Sequence, residues 1–229
     1  MRSAILAACA WKNPHALGEL VRISTRITHT DPRAEEGALA VALAARAALE
    51  HGGQLDSDKA LAAIRDNVAG KELSDALESV QRLVREKADA PALTQMLGIR
   101  HGVSGYINQT VPVALFCWAR WPGDFRTGIE TVIGLGGDTD TTAAITGALI
   151  GGTAGVGAIP AEWIDGMMER PRSVKWLRRL ANALTRAATS NDEKTWSAVP
   201  LFWPGLLPRN LLFLLVVLLH GFRRQLPPY

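Results

Sequence analysis

The sequence is short of cysteine, net charge, strand patterning and long strongly apolar runs, and each shortage removes a class of protein. Two cysteines, Cys9 and Cys117, lie far apart and in no CxxC pair, which argues against a disulfide framework; both read as buried thiols in a reducing compartment. A net charge of +3 over 229 residues is too small to point to nucleic acid. No stretch alternates polar and apolar residues between hairpin turns, so sheet classes fall away. There is no low-complexity tract and no internal repeat. The start, "MRSAILAACAWKN", mimics a lipoprotein cleavage box. Only Ser3 to Ala8 separates Arg2 from Cys9, however, shorter than the ~7–15 apolar residues of a signal peptide. A buried helix fragment and a cytoplasmic location are therefore expected.

Two segments test the shortage of apolar runs. Ala143 to Pro160 carries no charge over 18 residues, but it is mostly Gly, Ala and Thr, which insert poorly into lipid. Gly147, Gly151 and Gly155 fall four apart, a stripe suited to close helix packing in a soluble core. The second segment, Leu211 to Leu219, is nine residues long, well under the ~20 of a spanning helix. A docked C-terminal helix is expected, with interfacial membrane attachment through Leu211 to Phe222, helped by Arg223 and Arg224, as the alternative.

What is present is helical punctuation. "NPHALGELVRISTRITHT" places Asn13 as a cap before Pro14, with Leu17, Leu20, Val21 and Ile27 at helical spacing. "DPRAEEGALAVALAARAALEHGG" repeats the device: Asp31 caps, Pro32 starts, Glu35 and Glu36 suit the positive helix end, and Gly52–Gly53 stop it. "SDKALAAIRDNVAG" and "ELSDALESVQRLVREKA" are amphipathic. "YINQTVPVALFCWARW" is apolar on most sides and reads as central despite Pro112. In "ERPRSVKWLRRLANALTR", Lys175, Arg178, Arg179 and Arg186 share one face, read as solvated in preference to a patch for an anionic partner. The chain is all-α.

The chemistry concentrates in "GGDTDTTAAITGALIGGTAGVGAIP". Asp138, Asp140 and Thr141 offer two carboxylates and a hydroxyl with no His or Cys beside them. Hard oxygen donors select Mg²⁺, Mn²⁺ or Ca²⁺ over zinc or copper. In a regular helix Asp140 points about 200° away from Asp138, so the three converge only if the helix begins near Asp140. Gly136–Gly137 supply the tight turn before it. The same residues read equally well as an acidic helix cap that needs no metal. An EF-hand loop is excluded, because no glutamate occupies its twelfth position.

"GGDTDTTAAITGALIGG", followed after a short gap by "IPAEW", resembles the C-terminal signature of the ADP-ribosylglycohydrolase family. "ITHTDPRAEEGALAVALAARAAL" is similar to that family's His-bearing segment. "GYINQTVPVALFCWARWPGDFRTGIETVIGLGGD" resembles the helix pair leading into the metal motif. The resemblance covers about Met1 to Trp163. It implies a compact all-α domain that hydrolyses the bond between ADP-ribose and an acceptor with two Mg²⁺ or Mn²⁺ ions. Asp138, Asp140 and Thr141 would be one half of the metal ligands. His29 would contact the ADP-ribose diphosphate, or simply make a helix-entry hydrogen bond. Tyr106 would meet the sugar or base, or pack in the core, and Gly137 would adjoin the substrate.

The family's opening GDALG-like stretch and TDDT-like element, which carry the remaining ligands, have no counterpart in the sequence. "MRSAIL" itself resembles the end of the family's "GNGAAMR" loop. The expectation is thus a domain lacking its N-terminal helices, whether as a fragment, a mis-assigned start or a truncated gene, with a non-catalytic homologue that binds ADP-ribose or only packs as the alternative to the hydrolase. Residues 1–168 would be the family domain and residues 169–229 a helical extension. Expected partners are ADP-ribose or an ADP-ribosylated protein or small molecule, with no nucleic acid and no membrane; the acceptor and the oligomeric state are left open.

Overall fold

The computed structural model describes residues 1–10, 13–189 and 198–225. Among these the chain is all-α, with one isolated parallel β-bridge between Val103 and Gly137. It falls into two units, Met1–Pro160 and Ala161–Tyr229.

The first unit holds nine helices among its described residues: α1 (Ser3–Ala10), α2 (Pro14–Arg26), α3 (Pro32–His51), α4 (Ser57–Asp66), α5 (Lys71–Arg85), α6 (Ala90–Met96), α7 (Ile107–Arg120), α8 (Phe125–Leu135) and α9 (Thr139–Ala154). Side-chain caps start most of them. Asn13 accepts from the Ala16 amide at 3.2 Å and Asp31 from the Arg33 amide at 3.0 Å. Asp56, Asp89 and Asp124 cap α4, α6 and α8 in the same way. Each cap satisfies a backbone donor that the helix cannot pair internally. Gly52 ends α3 at a φ of 51°.

Helices α3, α7 and α9 form the centre, with α1, α2, α4, α5 and α8 packed around them. Helix α7 is buried from Thr110 to Ala119, Pro112 included. Helix α9 buries Thr142, Ile145, Thr146, Leu149, Ile150 and Thr153. Its threonines are compatible with that core because each hydroxyl donates to the carbonyl one turn back: Thr142 to Asp138, Thr146 to Thr142 and Thr153 to Leu149. The fully buried Trp118 then donates its indole N–H to the Thr153 hydroxyl at 2.9 Å, tying α7 to α9. A buried indole without such a partner would lose about 1–3 kcal/mol.

Several expectations need correction. The three glycines of α9 do not form one packing stripe. A side chain at Gly147 would press on Phe125 and Ile129 of α8 at 3.3 Å, at Gly151 it would meet only ordinary contact, and Gly155 is the C-cap at φ 78°. Ile27 lies past the end of α2 and is exposed, because the chain leaves the helix there. Cys117 is buried, and burial pushes its thiol up to about 12; Cys9 is exposed, on the outer side of α1.

The second unit contains α10 (Ala161–Asp165), α11 (Val174–Thr189) and α12 (Leu206–Gln225). The C-terminal helix is longer than its nine-residue apolar run. Pro208 falls in the first turn of α12, where its missing N–H costs nothing. The helix therefore runs through the preceding "LLPRN" to a length of 20 residues, and it buries none of them. With the preceding Trp203–Gly205 turn it is long and apolar enough to cross a membrane.

Candidate functional site

The site is organised where two remote backbones are pressed together. The Val103 amide donates to the Gly136 carbonyl at 3.0 Å, and the Asp138 amide donates to the Val103 carbonyl at 2.6 Å. Gly137 lies between these bonds at φ 84°, and a Cβ there would overlap the Val103 backbone. Gly102, at φ 88°, would likewise collide with the Gly137 backbone if it carried a side chain. Only glycine accommodates both the left-handed backbone and the close approach. The glycine pair is thus a clamp that aims Asp138 at the start of α9.

Asp138 occupies the N-cap position of α9, yet its carboxylate makes no capping bond. Thr142 instead uses the Asp138 carbonyl through both its amide (3.1 Å) and its hydroxyl (2.8 Å). The Asp140 side chain lies beside that of Asp138, and the Thr141 amide donates to Asp140 at 2.9 Å. Those two contacts hold the exposed Asp140 carboxyl below the ordinary carboxylate range. Two adjacent carboxylates at a helix N-terminus concentrate negative charge where a divalent cation could bind.

Beside this pair opens a cavity of about 430 Å³ whose lining includes Arg2, Thr28, His29, Gly105 and Thr141. The lining also draws on the opening turns of three helices, through Ala34 and Gly37 of α3, Ile107 and Thr110 of α7, and Thr141 of α9. Helix N-termini present positive dipole ends and unpaired amides, and so favour an anion. Within the lining the Arg2 guanidinium donates to the Thr28 hydroxyl at 2.8 Å and to the Ser24 carbonyl at 3.1 Å. Thr28 Oγ1 lies 2.8 Å from His29 Nδ1. If the hydroxyl donates to Nδ1, the imidazole N–H sits on Nε2.

The structure brings Thr141 and His29 to one cavity and sets Asp138 beside it, where a Cβ on the lining residue Gly105 would stand 3.2 Å from Asp138 Oδ2; Asp140 is exposed and outside the lining. Tyr106 and Gly137 are not part of the lining. Tyr106 is the N-cap residue of α7, and its hydroxyl donates to the Glu72 carboxylate (2.8 Å) while accepting from Arg33 (3.1 Å) and Asn108 (3.3 Å). Gly137 packs on Val103. Sequence reading missed Arg2 and Thr28, although "MR" and "THT" stood inside the quoted segments. It also missed Val103, an isolated valine that carries no signal at all.

Among the described residues no group of three or more His, Cys, Asp and Glu side chains could hold a metal. The donor set at α9 is two carboxylates and a hydroxyl, all hard oxygens, which fits one flank of a Mg²⁺ or Mn²⁺ site by its chemistry.

A protein-family model described as ADP-ribosylglycohydrolase matches residues 1–194. The human ADP-ribosylhydrolase ARH3 is 27% identical over 181 residues, covering 67% of this chain and 49% of that protein. The ADP-ribosylarginine hydrolase Tri1 of Serratia proteamaculans is 34% identical over 90 residues, 39% of this chain and 23% of its own length. A protein of Archaeoglobus fulgidus with no described activity is 32% identical over 165 residues, 71% of this chain and 48% of its own. The chain thus spans about half or less of the curated relatives it matches. No solved structure gives a significant match.

Proposed function

The chain belongs to the ADP-ribosylglycohydrolase family, and from that membership we propose that it contributes to hydrolysis of the glycosidic bond between ADP-ribose and an acceptor. The observation that carries this reading is the Asp138–Asp140 pair at the start of α9, with Asp138 beside the cavity that Thr141 and His29 line.

In this reading Asp138, Asp140 and Thr141 hold one side of a divalent-metal site. Mg²⁺ or Mn²⁺ held there would supply positive charge for orienting ribose hydroxyls and a water. The protein's own groups do the rest of the binding. The Asp138 clamp fixes one carboxylate before ligand arrives, so little ordering is left to be paid for on binding. Arg2, His29 and the converging helix N-termini receive the diphosphate, with Thr28 fixing the orientation of the imidazole. The ligand is ADP-ribose, free or carried by a protein or small molecule.

These residues make one flank, and two-ion chemistry needs donors on both. The purified 229-residue chain is therefore expected to bind ADP-ribose but to turn over little or nothing. Calorimetric titration of ADP-ribose, with and without Mn²⁺, tests the site. Metal-enhanced binding should disappear in Asp140→Ala and weaken in His29→Ala; identical titrations for wild type and Asp140→Ala would refute the assignment. Rapid metal-dependent release of ADP-ribose by the chain, abolished by Asp140→Ala, would overturn the one-flank statement while keeping the hydrolase.

A further inference from the structure

Among the described residues none of the apolar helix α12 is buried, and its character points to what covers it. Leu211 to Leu219 are nine consecutive apolar residues, each 48 to 69% exposed. At 100° per residue they occupy every side of the helix. A partner helix or a second copy covers one stripe and leaves the rest polar, as in a coiled-coil seam. A helix that is apolar all round matches a surrounding apolar medium.

The charges agree. Helix α12 carries Arg209, Arg223 and Arg224 and no acidic residue. Arg209 is held by Glu169 at 2.8 Å, and the exposed Phe202 and Trp203 precede the helix, as aromatics do at membrane interfaces. Arg209 and Arg223 are separated by about 21 Å along the axis at 1.5 Å per residue. That falls short of a hydrocarbon core of about 30 Å, so both guanidinium groups would snorkel to the headgroups. Helix α11 adds an independent sign. Lys175, Arg178, Arg179 and Arg186 fall on one side, Leu177, Leu180 and Leu184 on the other, and the helix contains no acid. That is the pattern of a basic helix lying in an anionic interface.

We infer that the 161–229 unit is a membrane anchor: α12 enters a lipid bilayer, and the basic face of α11 lies on its anionic headgroups. This reverses the expectation of no membrane drawn from the nine-residue run alone. It does not depend on the hydrolase reading, since no residue of the cavity takes part.

The test is co-flotation of the full chain with vesicles of phosphatidylcholine, or of phosphatidylcholine mixed with phosphatidylglycerol. Wild type should float with both and favour the mixed vesicles. Leu214→Glu/Val217→Glu should stay at the bottom of the gradient with an unchanged far-UV circular dichroism melt. Lys175→Gln/Arg178→Gln/Arg179→Gln, which leaves α12 intact, should lose about 100-fold in affinity for the mixed vesicles and keep its binding to neutral ones. Wild type that never floats overturns the anchor, whether it remains a monomer or forms a dimer that Leu214→Glu/Val217→Glu dissociates. Equal affinity of the triple variant and wild type for mixed vesicles overturns the role of α11.

Discussion

Replacing Gly137 with alanine should damage both the stability of the first unit and its metal site. The residue sits at φ 84°, and a new Cβ would overlap the nitrogen, carbonyl carbon and oxygen of Val103. Those are backbone atoms and cannot swing aside as a side-chain tip would. A non-glycine residue in the left-handed region costs about 1–2 kcal/mol. Relief of the overlap must lengthen the Val103–Gly136 and Asp138–Val103 hydrogen bonds, now 3.0 and 2.6 Å. Each contributes about 0.5–1.5 kcal/mol, so the expected loss is about 2–5 kcal/mol. For a chain of this size that lowers the melting temperature by about 4–20 °C. Thermal unfolding followed by far-UV circular dichroism gives the shift, with Gly134→Ala as the control. Gly134 lies in α8 with open space at its Cβ position, and alanine there is expected to be neutral or stabilising by up to about 1 kcal/mol. Asp138 would also lose its aim, so Mn²⁺-enhanced binding of ADP-ribose should weaken in Gly137→Ala and persist in Gly134→Ala. A Gly137→Ala protein that melts with wild type would refute the clamp.

Gly147→Leu should overpack against Phe125 and Ile129 and cost about 1–3 kcal/mol in chemical denaturation, whereas Gly151→Leu should cost less and Thr153→Ser, which keeps the hydroxyl for Trp118, should change little; equal losses for the two leucine variants would contradict the contacts described. The third expectation concerns acid. The Arg85 hydrogen bond, helped by Gln81, holds the Asp58 carboxylate below its usual range. A carboxylate lowered in the folded state contributes stability above its unfolded value of about 3.9 and loses it as pH falls through the folded value. The advantage of wild type over Asp58→Asn in urea melts should therefore be present at neutral pH and shrink below about pH 4; a constant difference down to the acid limit would show that the ion pair contributes nothing through protonation.

The sequence by itself determined what is local. Asn13, Asp31, Pro32 and Gly52 mark helix ends because a cap bonds to amides two or three residues away, within one turn of its own position. The amphipathic runs fixed α4 and α5 for the same reason, since neighbours on a helix face are three or four residues apart. The GGDTDTT string announced hard oxygen donors, because ligand chemistry is a property of residue type.

Tertiary structure decided whatever joins residues distant in sequence. Val103 meets Gly137 from 34 positions away, so nothing near either residue could declare the clamp. Arg2 reaches Ser24 and Thr28 only because α1 packs beside α2 and α3. Three helix N-termini meet at the cavity by packing alone, since each cap reports its own helix and not where that helix points. The terminal helix shows the converse. Its nine-residue apolar core was plain in the sequence, but the length of α12 came from Pro208 falling in a first turn, and its exposure from the absence of a covering surface among the described residues. Burial is a property of the surroundings, and a run of leucines reads alike whether protein or lipid encloses it.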